Sequence, residues 1–250
     1  MADLDGKTAL VTGSSRGIGR GIAEGLAGEG ATVGVNYPPV DGERETAAAV
    51  VEGIEDAGGE AVAIEGDVSD EGSVRSMVDA FEARLGPPDV LVNNAGILTK
   101  SRLAEMPVEV WDELLSVNLR GVFLVTRFVL PGMLERGSGR VINVASQLGF
   151  KGAAELVHYS TAKGGVIAFT RALAREVAPE VTVNAIAPGP IDTDMTTGMG
   201  DDERRSMDHV PLERRGQVED VVPTALLLAG PGGDYYTGQT LSPDGGDAMH

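Results

Sequence analysis

The sequence predicts an α/β fold: one doubly wound parallel sheet of about seven strands with helices on both faces, built as a single domain over residues 1–250. Three observations carry this. Short β-branched runs recur, and most are nearly continuous in apolar residues, as strands buried on both faces require. Segments with helical character alternate with them, the rhythm of strands joined by crossover helices. No linker interrupts the alternation, and no repeat of solenoid or propeller period is present.

The elements follow in order. The strand "TALVTG" (8–13) leads into a helix over 17–29, and "TVGVNY" (32–37) into a helix over 43–57 that stops at Gly58. "AVAIEGDV" (61–68) precedes a helix over 70–85, where Ser69 or Asp70 caps "EGSVRSMVDAF" and Gly86 closes it. "DVLVNNAG" (89–96) is followed by a long helix over 107–136, and "RVINVAS" (140–146) by one over 157–178. "VTVNAIAPG" (181–189), a helix over 218–229 and "GQTLSPDGG" (238–246) complete the chain. The stretch between Gly189 and Gln217 is long and polar and breaks the rhythm. Because it follows a strand's carboxyl end, residues 190–217 are expected to form a substrate-covering lid rather than a mere surface insertion.

Composition narrows the partners. The formal net charge of −18 repels phosphate backbones and anionic membranes, so neither nucleic acid nor a membrane is expected. Only four of the 20 cations are lysine. That scarcity favours adaptation to high salt over a merely acidic surface, since ions screen carboxylate self-repulsion. Without cysteine there is no disulfide or thiolate chemistry. "MADLDGKTALVTG" has no signal-peptide pattern, and no apolar run approaches the roughly 18 residues of a membrane span, so a cytoplasmic protein is expected.

"TALVTGSSRGIGRGIAEGLA" is strand, glycine turn, helix, with Gly13, Gly17 and Gly19 spaced G-x3-G-x-G. Glycine lets the backbone turn sharply and approach a pyrophosphate seated at the positive end of the following helix. Three glycines alone would be weak evidence, but the flanking strand and helix supply the context of a Rossmann-type dinucleotide site. The second strand ends in Asn36 and Tyr37, and no carboxylate follows until Asp41 to accept a ribose 2′-hydroxyl. Arg16, inside the turn, offers a guanidinium to a 2′-phosphate. NADP(H) is therefore favoured, with NAD(H) as the alternative.

"HYSTAKGG" (158–165) sets Tyr159 four residues before Lys163, on one face of a helix. With four tyrosines and four lysines in the chain, chance supplies only about 0.06 such pairs. An ammonium beside a phenol stabilises the phenolate and brings its pKa down from about 10. Ser146, ending a strand, stands where such folds place ligands. His158, His209 and His250 share no metal-ligand spacing, so no metal is expected. Trp111 and Phe128 are read as core or subunit-interface residues.

Taken in order, "TGSSRGIG", "DV", "NNAG", "VNL", "VAS", "YSTAK", "NAIAPGPIDT" and "YTGQTLSPDGG" resemble the motifs of the short-chain dehydrogenase/reductase family over essentially the whole length. The resemblance implies an oxidoreductase that interconverts a ketone and a secondary alcohol. It assigns the nucleotide to Gly13, Ser15, Arg16, Gly17, Ile18 and Gly19, with Asn36 and Tyr37. Asp67 and Val68 would flank the adenine, and Asn94, Ala95 and Gly96 would line the cleft. Pro188, Gly189, Ile191 and Thr193 would hold the nicotinamide carboxamide. Tyr159 becomes the acid/base, Ser146 the partner of the substrate oxygen, and Lys163 the ribose ligand that tunes Tyr159. Asn118 would hold a water in the proton relay. A homodimer or homotetramer built on the 107–136 and 157–178 helices is implied.

Overall resemblance favours a 3-oxoacyl thioester reductase, with a sugar or polyol dehydrogenase as the alternative and a non-catalytic nucleotide-binding scaffold as the remote one. The stretch after Tyr37 is longer than the family's usual one. Glu180 also stands where carrier-protein reductases tend to be basic.

Overall fold

In the computed structural model, which describes residues 2–197 and 207–249, β1 (Thr8–Val11) lies next to the central strand of a seven-stranded, wholly parallel sheet. The other strands are β2 (Thr32–Tyr37), β3 (Glu60–Glu65), β4 (Val90–Asn93), β5 (Gly139–Val144), β6 (Val181–Ile186) and β7 (Thr240–Leu241), in the order β3-β2-β1-β4-β5-β6-β7. The order reverses between β1 and β4, which pair Ala9 with Val90 and Val11 with Val92. A crevice opens at that point beyond the strands' carboxyl ends, where open α/β sheets bind ligands.

Side chains alternate along each strand, so the apolar runs supply two cores. Ala9, Val11, Val90, Val92, Ile142 and Val144 face one side, where they meet α1 (Gly17–Gly28), α2 (Glu43–Asp56) and α9 (Val218–Ala229). Leu10, Leu91 and Val141 face the other, against α3 (Glu71–Leu85), α5 (Gly121–Arg136) and α7 (Val157–Val177), while the short α6 (Leu148–Lys151) follows β5 and α8 (Asp194–Thr197) follows β6. Gly34 in β2 is required by this packing: a Cβ there would lie 2.6 Å from the Phe81 ring. Asp70 caps α3 by accepting from the Ser73 N–H at 2.7 Å, and Gly86 closes it at φ 76°.

Three differences from the sequence reading have physical causes. The long helix divides into α4 (Val108–Leu115), a π turn (Ser116–Arg120) and α5, with Asn118 buried in the turn. The strand expected through Gly96 ends at Asn93, because the Asn94 and Ala95 N–H groups turn to the Thr12 hydroxyl at 3.0 and 3.1 Å. β7 shrinks to two residues, since Pro243 cannot donate and Gly245 and Gly246 take φ of 69° and 90°. The Val108–Arg136 helix is 29 residues long with a mean hydropathy of 1.4 in its most apolar window, enough by length and composition for a membrane span. Here its Leu124, Val125, Val129 and Met133 pack into the sheet's core.

Candidate active site

The crevice is floored by contacts between the glycine turn and the turn after β4. The Asn94 side-chain amide donates to the carbonyls of Thr12 (3.0 Å) and Gly13 (2.9 Å). Added Cβ atoms would meet Ala95 Cα at 2.7 Å from Gly13 and the Asn94 amide at 2.3 Å from Gly19. Glycine is thus compelled at both places by packing as well as by the φ of 60° at Gly13. Gly17, at φ 56°, has a different reason: its Cβ would point across the crevice at Thr193 Cγ2, 3.7 Å away. Bare backbone on that side keeps a strip clear between the turn and the segment after β6. Such a strip, at the start of α1, suits a pyrophosphate.

Asn36 is buried, and its side chain serves the turn: Oδ1 accepts from the Gly13 N–H at 3.0 Å, and the amide donates to the Ile64 and Gly66 carbonyls. Tyr37 is buried beside it, so this strand end builds the cradle's wall. The Asp67 carboxylate accepts from the Ser69 N–H (2.8 Å) and hydroxyl (2.7 Å), and Val68 packs against Gly121 at the head of α5. Gly189 abuts the Asp244 backbone, and Ile191 forms a parallel bridge with Gly216. Arg215 reinforces that bridge by donating to Asp192 (2.9 Å) and to the Ile191 carbonyl (3.1 Å). The base of the expected lid is therefore clasped; residues 198–206 within it lie outside the described residues.

At the other end of the crevice α7 carries Tyr159 and Lys163 one turn apart, facing the carboxyl end of β5. The buried Lys163 ammonium donates to the Val144 carbonyl at 2.8 Å and lies 5.7 Å from the centre of the Tyr159 ring. Ser146, two residues beyond β5, accepts from the Leu148 N–H at 3.1 Å and acts on the phenol to lower its pKa. The sequence argument expected the ammonium to bring the phenol's pKa down. Burial outweighs that effect here: it pushes the Tyr159 phenol up to about 12, against the opposing pull of Ser146. Burial also brings Lys163 down to about 8. The result is a phenol that holds its proton at neutral pH beside a serine donor, a pair able to protonate an oxygen as negative charge develops on it.

Asn118 is built into the wall of the crevice. Its side chain is occupied by the Ile97 backbone, accepting from the N–H at 2.8 Å and donating to the carbonyl at 2.9 Å. The side chain thus ties the turn after β4 to the π turn, and these two bonds leave its second lone pair and second amide proton unused.

Two further features escaped sequence reasoning. Glu43, the first residue of α2, reaches back to the glycine turn and accepts from the Ser15 hydroxyl at 2.8 Å and from Arg16. Only the path of the loop after Tyr37 could have shown this. Asp247, near the C-terminus, is 4% exposed and accepts from the Gln147 amide and the Lys151 ammonium, each at 2.6 Å, with His209 3.8 Å away. It ties the tail to the residue after Ser146 and brings it close to His209. Among the described residues no group of three or more His, Cys, Asp or Glu converges as a metal site.

Residues 7–204 match the family model described as short chain dehydrogenase. The chain belongs to the short-chain dehydrogenase family. This dehydrogenase is 43% identical over 245 residues to a 3-oxoacyl-[acyl-carrier-protein] reductase of Staphylococcus aureus, a match covering 97% of this chain and 98% of the relative. Among solved structures it resembles a gluconate 5-dehydrogenase from Burkholderia cenocepacia in complex with NADP and tartrate, with a TM-score of 0.91, 37% identity, and 98% and 96% of the two chains covered. It also resembles a blue fluorescent protein from a metagenomic library in complex with NADPH, with a TM-score of 0.92, 37% identity, and 99% and 100% covered. Family and fold make the dehydrogenase an NAD(P)-dependent oxidoreductase of the single-domain Rossmann type.

Proposed function

We propose that the protein is an NADP(H)-dependent reductase of a 3-oxoacyl thioester, forming the secondary alcohol. The observation that carries this is the 43% identity, end to end, with a 3-oxoacyl thioester reductase. The protonated phenol suits the direction, because carbonyl reduction consumes a proton at oxygen. Bound at the crevice, the nicotinamide supplies the hydride. Gly13, Ser15, Arg16, Gly17, Ile18 and Gly19 hold the phosphate end, Asp67 and Val68 the adenine, and Asn94, Ala95 and Gly96 the middle of the cleft. Pro188, Gly189, Ile191 and Thr193 orient the carboxamide. Ser146 and Tyr159 both hydrogen-bond the substrate oxygen, and Tyr159 gives up its proton as the alkoxide forms. Lys163 holds the ribose and keeps a positive charge beside the phenolate left behind.

Glu180 is exposed just beyond α7, and the chain carries a net charge of −18. An acidic carrier protein would be repelled, so the acyl group arrives on a small thiol such as coenzyme A. A second reading, a sugar or polyol dehydrogenase, is favoured by the likeness to the gluconate 5-dehydrogenase and by the polar Gln147–Lys151–Asp247 cluster next to Ser146. Turnover of 3-oxoacyl-CoA esters, aldonates and polyols with both nucleotides separates the two. Absence of turnover with every thioester would remove the first. The exposed Phe123 and Leu134 of α5 support a homodimer or homotetramer. Its acidity and scarce lysine support a high-salt cytoplasm.

A further inference from the structure

The NADP(H) reading leaves one side chain at the glycine turn unexplained. Ser15 and Arg16 are the donors offered to a nucleotide's 2′ substituent, and both already serve an anion of the chain's own. Gly42, at φ 81°, turns the backbone into α2 so that Glu43 faces the turn. One Glu43 oxygen accepts from the Ser15 hydroxyl at 2.8 Å, and the other accepts from the Arg16 guanidinium. The carboxylate is only 15% exposed although its arginine partner is 53% exposed, so it is seated inward on the turn. Asn36, which could have served a ribose hydroxyl, is committed to Gly13, Ile64 and Gly66.

We propose that Glu43 sets nucleotide selectivity by occupying the donors that a 2′-phosphate requires. The inference rests on the NADP(H) reading and deepens it. A phosphate ester approaching Ser15 and Arg16 meets a carboxylate on the same donors, and two anions on one guanidinium repel each other. The carboxylate must swing away before the phosphate binds. A nucleotide with a free 2′-hydroxyl requires no such displacement, and Glu43 can accept its hydrogen bond. Glu43 therefore compresses the preference for phosphate over hydroxyl. Removing its charge while keeping its shape widens that preference.

The test is calorimetric titration of the full-length protein with adenosine 2′,5′-bisphosphate and with 5′-AMP, using wild type, Glu43→Gln, Glu43→Ala and Arg16→Ala, each checked for an unchanged circular dichroism spectrum. Both Glu43 variants are expected to bind the bisphosphate about tenfold more tightly, with 5′-AMP unchanged or weaker, while Arg16→Ala loses about tenfold for the bisphosphate alone. If the Glu43 variants leave bisphosphate affinity within twofold, or weaken it, while Arg16→Ala still costs tenfold, Glu43 is not a competitor and the NADP(H) reading survives. If wild type binds both probes alike and no variant alters bisphosphate affinity, the NADP(H) reading of this turn falls and the inference with it.

Discussion

Replacing Lys163 by methionine tests whether burial governs the site's charges. The amine falls from its ordinary 10.5 to about 8 because burial penalises the charged form. At roughly 1.36 kcal/mol per pH unit, charging it in the folded state costs about 3 kcal/mol more than in the unfolded chain. Between pH 8 and 10.5 the unfolded chain holds the extra proton, so stability rises with pH through that window. Nearly the whole cost is present at pH 7, and only about 1–1.5 kcal/mol remains at pH 9.5. Wild type should therefore gain roughly 2 kcal/mol over Lys163→Met between those two pH values. Tyr159 has the opposite sign, losing stability as pH rises from 10 to about 12, which lies above both pH values compared and is common to wild type and variant. Urea unfolding followed by the fluorescence of Trp111, the chain's one tryptophan, at fixed protein concentration measures the difference. A wild-type-minus-variant difference that stays constant within about 0.5 kcal/mol would refute the argument that the buried amine is desolvated.

Tyr159→Phe should abolish turnover while nucleotide affinity, measured by titration, survives; activity within tenfold of wild type would remove the phenol from the proton transfer. Arg16→Ala should raise KM for NADPH about tenfold and for NADH less than twofold, and equal effects in steady-state assays would sink the phosphate-clamp assignment. Asp247→Asn weakens the tie between the tail, Lys151 and Gln147, so the ketone KM should rise several-fold with kcat nearly kept; a kcat loss at constant KM would contradict that role. If the charge of −18 is an adaptation to salt, melting temperature and activity should both climb in molar KCl, and a flat response would contradict it.

The order and type of the elements were readable because parallel strands advertise themselves: Val33, Val35, Leu91 and Val141 must all be apolar when both faces of the sheet are covered. The positions of Tyr159 and Lys163 were readable for a related reason, since a four-residue spacing on a helix fixes their relative placement without tertiary information. Glu43 and Asp247 were not, because each reaches its partners through a loop or tail whose path has no period. The tie that Asn118 makes within the fold was not legible either. Its place in the sequence shows no hint of the π turn, and only in the fold does the Ile97 backbone appear opposite its amide.

The phenol is the most instructive case, because the sequence argument weighed the charges of the ammonium and of an oxidised nicotinamide and left burial out. It set an ammonium beside a tyrosine and inferred an acidified phenol, as Coulomb's law demands when both groups are solvated. Folding buries Lys163 and half-buries Tyr159, and desolvation acts on each before they act on one another. The penalty favours the neutral forms, so it raises Tyr159 and lowers Lys163 together. A phenolate produced by proton transfer to substrate would then stand beside an ammonium with little water between them, where the attraction is strongest. The pair is thus arranged so that its electrostatic stabilisation is realised as the phenol's proton leaves, not while the phenol waits, which is where catalytic binding energy has to be spent.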